Sequence, residues 1–108
     1  MSKAGLADNE RDLEQLVTLF KLLSDRTRLT ILLLLTQGEK NVTALCEELK
    51  LPQPTVSHHL RLLRMNNVIG SRRNGKQVFY NVQGRIVGDG GGLAIPVENY
   101  TVKIGPRN

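Results

Sequence analysis

PQPTVSHHLRLLR, residues 52–64, puts two chemistries on one short segment. Placed on a helix, Val56, Leu60 and Leu63 fall in one stripe, with His59 beside it. Pro54, Ser57, His58 and Arg61 fall opposite. Pro54 sits in the first turn, where a missing N–H costs little. Such a helix is pinned by an aliphatic seam and shows a small, polar, cationic flank.

The neighbours on both sides give that flank a context. Upstream, Asn41 or Thr43 caps a short helix running to Leu49, with Leu45 and Leu49 inward and Glu47 and Glu48 outward. Lys50-Leu51-Pro52-Gln53 cannot continue it, because Pro52 disfavours the α conformation at Leu51. Two short helices joined by a tight turn form a helix-turn-helix. Downstream the apolar period changes to two, in Val68–Arg72 and Lys76–Val82 around Arg73-Asn74-Gly75. Asn74-Gly75 reads as the central pair of a type I′ turn. A basic hairpin directly after a helix-turn-helix is a wing. Phe79 and Tyr80 alternate on its second strand, so one faces the core and the other faces out.

Further from the quoted stretch, Leu13, Leu16, Val17, Phe20 and Leu23 recur at helical spacing over Glu10–Leu23. Ser24-Asp25 breaks the pattern, and Asp25 offers a cap for a second helix from Arg26 to about Thr36. That helix is apolar on most sides through Leu29–Leu35, so it belongs at the centre, and Gly38 ends it. Residues 1–9 read as a disordered start, 10–82 as one winged helix-turn-helix domain and 83–108 as a Gly-rich tail. In the tail, Leu93–Val97 and Tyr100–Ile104 flank Glu98-Asn99 and admit two readings: a second small hairpin in place of a last helix, or no fixed structure. Pro96 would confine its strand to an edge. The fold class is therefore mainly α with a β-hairpin wing.

Composition bounds the rest. A chain of 108 residues fits one domain, and with no Trp, two Phe and two Tyr its core must be aliphatic. The polar N-terminus has no secretory h-region, and Leu29–Leu35 is far short of the ~18 apolar residues a membrane span needs. One cysteine, Cys46, leaves no internal disulfide and fits a reducing compartment. The expectation is a cytoplasmic protein. Charge is localised: residues 1–50 hold seven basic and eight acidic side chains, residues 51–82 five basic and no acid, and residues 83–108 three and two. The whole net +5 is thus confined to the helix-turn-helix and wing segment, the electrostatic footprint of a polyanion ligand.

An α-helix fits the major groove of B-DNA. Gln53, Thr55 and Ser57 stand at the start of the helix, where Thr55 and Ser57 can reach base edges or a thymine methyl. His58 can donate to or accept from a purine edge. Arg61 and Arg64 lie further on and suit phosphates, with a guanine edge as the other option. Arg72, Arg73, Asn74 and Lys76 surround the wing tip, where they can straddle phosphates or enter a minor groove.

At this point LSDRTRLTIL (23–32), QPTVSHHLRLLR (53–64) and SRRNGKQVFYNV (71–82) together resemble the ArsR/SmtB family of winged-helix repressors, a likeness spanning residues 23–82. The resemblance implies a homodimeric repressor that binds an imperfect palindrome in double-stranded DNA and is often released by a ligand. It also implies that Gln53–Arg64 is the recognition helix. Two departures bear on sensing. Metal-sensing members typically carry Cys-x-Cys near the start of the helix before the recognition helix, where this chain has Asn41-Val42-Thr43, with Cys46 one turn on. Other members ligate metal from a C-terminal helix, whereas this chain has no His or Cys beyond His59. No metal site and no cofactor are expected, and any small effector is unidentified. Dimerisation falls to the first helix, with or without the tail hairpin.

Simpler roles compete for several residues. Cys46 reads as a small core residue. Adjacent His58 and His59 point about 100° apart, so they do not chelate together; His59 is the packing residue of the two. Arg26 and Arg28 serve either DNA or the dimer surface. No nucleophile–base–orienter set exists, and Asp89-Gly90-Gly91-Gly92 neither follows a strand nor opens a helix, so no enzyme is expected. The competing function is a winged-helix module that binds protein, against which the acid-free segment 51–82 argues.

Overall fold

A computed structural model describes residues 10–83, 85–87 and 92–107. The expected disordered start, 1–9, and Asp89 lie outside the described residues. The chain runs α1 (Glu10–Leu23), α2 (Arg26–Leu35), β1 (Lys40–Asn41), α3 (Val42–Leu49), α4 (Gln53–Met65), β2 (Ile69–Asn74), β3 (Gln77–Val82), β4 (Arg85–Val87), β5 (Gly92–Val97) and β6 (Tyr100–Ile104). Two three-stranded antiparallel sheets form, ordered β1-β3-β2 and β4-β5-β6.

Local chemistry sets each boundary. Asp25 caps α2 by accepting the Arg28 N–H at 3.0 Å. Asn41 caps α3, accepting the Ala44 N–H at 2.8 Å, which decides between Asn41 and Thr43. At the end of α3, Lys50 takes the left-handed conformation (φ 56°) and the Leu51 N–H closes on the Cys46 carbonyl. Asn67 does the same for α4 (φ 60°), with its own N–H on Arg64 O and that of Val68 on Leu63 O, a Schellman ending. The α4 seam is fully inside: Val56, Leu60 and Leu63 are at most 1% exposed. They pack with Ile31, Leu32 and Leu35 of α2 and Leu45 of α3.

Five expectations need correction. The first concerns α1, where Leu19, Leu22 and Leu23 are buried while Leu13, Val17 and Phe20 stay 50–56% exposed. Seven apolar residues on this helix cover two arcs, and the inner arc is Leu19-Leu22-Leu23 rather than the Leu13-Val17-Phe20 row. Second, the Leu29–Leu35 run of α2 is not core throughout, since Leu33 is 46% exposed. Third, the wing turn is shifted by one residue: Asn74 pairs with Gln77, so Gly75-Lys76 is the loop. Only Gly75 has positive φ (66°) there, which fits glycine at the first central position rather than a type I′ pair. Fourth, of Phe79 and Tyr80 it is Tyr80 that packs on the core, as one of the two was expected to, but Phe79 is not exposed: it is half-buried beneath Arg72. Fifth, Pro96 lies on the middle strand of its sheet. β4 pairs only with Gly92–Ala94, so Pro96 still has no strand on its donor side.

The second sheet is part of the same core. Leu93 and Ile95 are at most 4% exposed and join the cluster of α1 and α2. Its turn is tied to the start of α1. Asn99 Nδ2 donates to the buried Asp12 carboxylate at 3.0 Å, and Glu98 lies 3.8 Å from Arg11.

Candidate nucleic-acid interface

Gln53, Thr55, Ser57, His58, Arg61 and Arg64 of α4 are all exposed, as are Arg72, Arg73, Asn74 and Lys76 of the wing. Burial of the Val56-Leu60-Leu63 seam leaves the opposite flank no alternative but solvent. Ser57, Arg61 and Arg64 line one open hollow of about 400 Å³, closed on the far side by Tyr80 of β3. The fold thus brings the helix cations and the wing strand to a shared surface. At the helix start, Pro54 has no N–H and that of Thr55 is bound to the Pro52 carbonyl at 3.1 Å. Few backbone donors remain there, so side chains rather than the helix end must supply the contacts.

The wing carries a feature that the sequence reading missed. Glu39 accepts from Arg72 Nε at 2.7 Å and from Asn81 Nδ2 at 3.0 Å. The Arg72 guanidinium also lies 5.2 Å over the Phe79 ring. Hydrogen bonds from Arg72, then from Asn81, hold the Glu39 carboxyl below its ordinary range. Arg72 is therefore an ion-paired strut from β2 to the residue that precedes β1. Arg61, Arg64, Arg73 and Lys76 have no acidic partner within 4.0 Å among the described residues. Glu39 could not be seen from sequence, because 33 residues separate it from Arg72.

A second cluster holds α4 from behind. Arg28 donates through Nε to the Leu22 carbonyl at 2.7 Å and through Nη1 to His59 Nδ1 at 3.2 Å. The Asp25 carboxylate lies 3.8 Å from Arg28 and 4.0 Å from His59. The Arg28 side chain is 16% exposed, so it serves neither DNA nor a dimer surface: it is an internal clamp from the end of α1 to α4. Arg26 is exposed. His59 is half-buried, and its Nδ1 is the ring atom that meets Arg28. Asp25 is held below its ordinary range, first by the Arg28 backbone N–H and then by the Arg28 charge.

Cys46 is half-buried and packs against the core. Among the described residues no three His, Cys, Asp or Glu side chains come close enough to hold a metal ion, and no helix is long and apolar enough to cross a membrane. The donor set at Asn41-Val42-Thr43 lacks thiols, so it does not fit the metal-sensing arrangement implied by the resemblance.

Comparison with known proteins agrees with this geometry. Residues 25–69 match the family described as bacterial regulatory protein, arsR family. An uncharacterised HTH-type transcriptional regulator of Methanocaldococcus jannaschii is 41% identical over 70 residues, covering 64% of this chain and 79% of that protein. The arsenical resistance operon repressor of Escherichia coli is 45% identical over 71 residues, and the match spans 65% of this chain but only 61% of the repressor. A solution structure from Mycobacterium bovis, described as a homodimeric winged helix-turn-helix DNA-binding domain, superposes with a TM-score of 0.64. It is 31% identical and covers 78% of this chain and 74% of that one. With its winged helix-turn-helix, its exposed cationic flank and these relatives, the chain belongs to the ArsR family of bacterial regulatory proteins.

Proposed function

We propose that the protein is a sequence-specific DNA-binding transcriptional repressor that acts in the cytoplasm as a homodimer on an imperfect palindrome. The observation that carries this is the acid-free flank of α4, where Ser57, Arg61 and Arg64 share one open surface beside the wing. Ser57, His58, Thr55 and Gln53 read base edges, while Arg61, Arg64, Arg73 and Lys76 hold phosphates. Asn74 positions the wing tip. The unit that binds is residues 10–82, with β5 and β6 packed against it from behind. Relatives named as repressors support the role, and the Mycobacterium bovis neighbour described as homodimeric supports the assembly.

The exposed row Leu13-Val17-Phe20 on α1 supplies an apolar face for a second copy. A two-fold dimer then sets the recognition helices roughly 34 Å apart, one turn of DNA. The regulator relatives favour neither the protein-binding alternative nor an enzyme. The test is fluorescence anisotropy with promoter and random duplexes across salt. Tighter promoter binding with a steep salt slope is expected. Indifference to both duplexes at 50 mM salt, roughly the low end at which such contacts are strongest, would overturn the reading.

A further inference from the structure

A small cleft lies between α1, the end of α4 and the β5–β6 turn, away from the DNA flank. Its volume is about 170 Å³, close to the ~150 Å³ of a cavity that holds benzene. Its polar lining comes from Gln15 and Thr18 of α1, Asn66 and Asn67 at the end of α4, and Glu98.

The chemistry of this lining leans to hydrogen-bond acceptors. The Thr18 hydroxyl donates to Glu14 O at 2.9 Å, and Asn66 Nδ2 donates to Leu62 O at 2.8 Å. Both residues therefore keep their oxygen lone pairs for a ligand. The C-terminal end of α4 adds a negative partial charge. Glu98 adds a full one, and it does so from a left-handed backbone (φ 53°) where Asn or Gly would sit more easily. Among the described residues no basic side chain lines the cleft. Arg64, the nearest cation along α4, lines the hollows on the other side instead. Among the described residues the cation paired with Glu98 is Arg11, 80% exposed and 3.8 Å away.

We propose that this cleft binds a small organic cation, an amine of about six non-hydrogen atoms, through Glu98, Thr18 and the end of the recognition helix. The site touches the apolar-faced helix α1, the last turn of α4 and the tail hairpin at once. A bound amine crosslinks them and so changes the setting of the recognition helix. The regulatory half of this proposal rests on the DNA-binding reading above; the binding half does not.

The probe is n-butylammonium, with n-butanol and butyrate as neutral and anionic controls. Binding is followed by amide shifts in the full chain. Butylammonium should move the Thr18, Asn67 and Glu98 signals saturably, with butanol and butyrate much weaker. Glu98→Gln should weaken binding about tenfold, the loss of one charge-assisted hydrogen bond. Arg11→Gln, which removes the competing cation, should strengthen it. Equal binding of the three probes, shifts centred elsewhere, or an unchanged affinity in both variants would overturn the site. Anisotropy with promoter DNA, with and without butylammonium, then separates the two claims. DNA binding that never occurs sinks the repressor reading and leaves the amine site standing. DNA binding that saturating amine leaves unaltered removes the regulatory half.

Discussion

Arg72 and Arg73 are adjacent on one strand but differ in ion pairing, so the proposed DNA contacts should differ between them. Arg73 has no acidic partner within 4.0 Å among the described residues; Arg72 is held by Glu39 at 2.7 Å. Each phosphate neutralised contributes about −0.9 to the slope of log K against log salt. Four unpaired cations in each of two copies (Arg61, Arg64, Arg73, Lys76) make about eight contacts and a slope near −7. Arg73→Ala removes two contacts per dimer and should flatten the slope by about 1.8. Arg72→Ala should change it little. Glu39→Gln frees Arg72 in both copies, so the slope should steepen by about 1.8, and affinity at low salt should rise. Between 50 and 200 mM salt, a fourfold range, that variant would lose roughly tenfold more affinity than the parent. Anisotropy titrations at four salt concentrations on one 30-base-pair duplex, roughly three turns of B-DNA, resolve differences of this size. A melting curve for each variant checks that the wing is intact. If Arg72→Ala and Arg73→Ala flatten the slope equally while Glu39→Gln leaves it unchanged, the ion-paired strut is wrong.

Three further outcomes follow from the other clusters. Phe20→Glu places a charge on the exposed row of α1, so the dimer should dissociate; reburial of a half-exposed Phe in two copies is worth about 2–3 kcal/mol, and sedimentation at micromolar concentration would read the monomer. A variant that sediments as a dimer would move the interface elsewhere. Arg28→Ala leaves the Leu22 carbonyl and His59 Nδ1 without their donor, so urea unfolding should show a loss of about 2–3 kcal/mol; a loss under about 0.5 kcal/mol, the size of an ordinary surface change, would deny the clamp. Acid should act through Asp25 and Glu39, whose folded values lie below the ordinary 3.8 and 4.5. Depressed carboxyls stabilise above their unfolded values, and that contribution disappears as pH falls through the folded ones. Stability carried by this pair should therefore be complete near neutrality and fall below about pH 4.5. The Asp25→Asn, Glu39→Gln double variant should lose less stability than the parent between pH 5 and pH 3 by urea titration; parallel losses would mean that other carboxyls carry the acid sensitivity.

What could be seen in the sequence was what short spans of chain determine. Asp25 and Pro52 mark breaks that the backbone must respect, and Val56-Leu60-Leu63 leaves one way to orient α4. The cationic flank follows from that orientation alone, which is why the exposure of Ser57, His58 and Arg61 could be anticipated. The wing could be seen because its strands alternate, although the turn shifted by one residue once Asn74 joined the ladder with Gln77.

Where two remote segments had to meet, local pattern said nothing. Glu39 finds Arg72 and Asn81, and Arg28 finds His59, across more than 30 residues. Helix α1 shows a different limit. Its apolar residues wrap two arcs, and periodicity cannot rank them, since each arc is as regular as the other. The packing of Leu19, Leu22 and Leu23 onto the core, which Leu93 and Ile95 also join, decides the matter. The tail sheet thus helps close the inner face of α1 and leaves Leu13, Val17 and Phe20 outside. An outward apolar row on a helix whose other face is already covered suits the second copy proposed above. The tail, which the sequence left open between a hairpin and no fixed structure, is therefore part of what keeps this face of α1 outward.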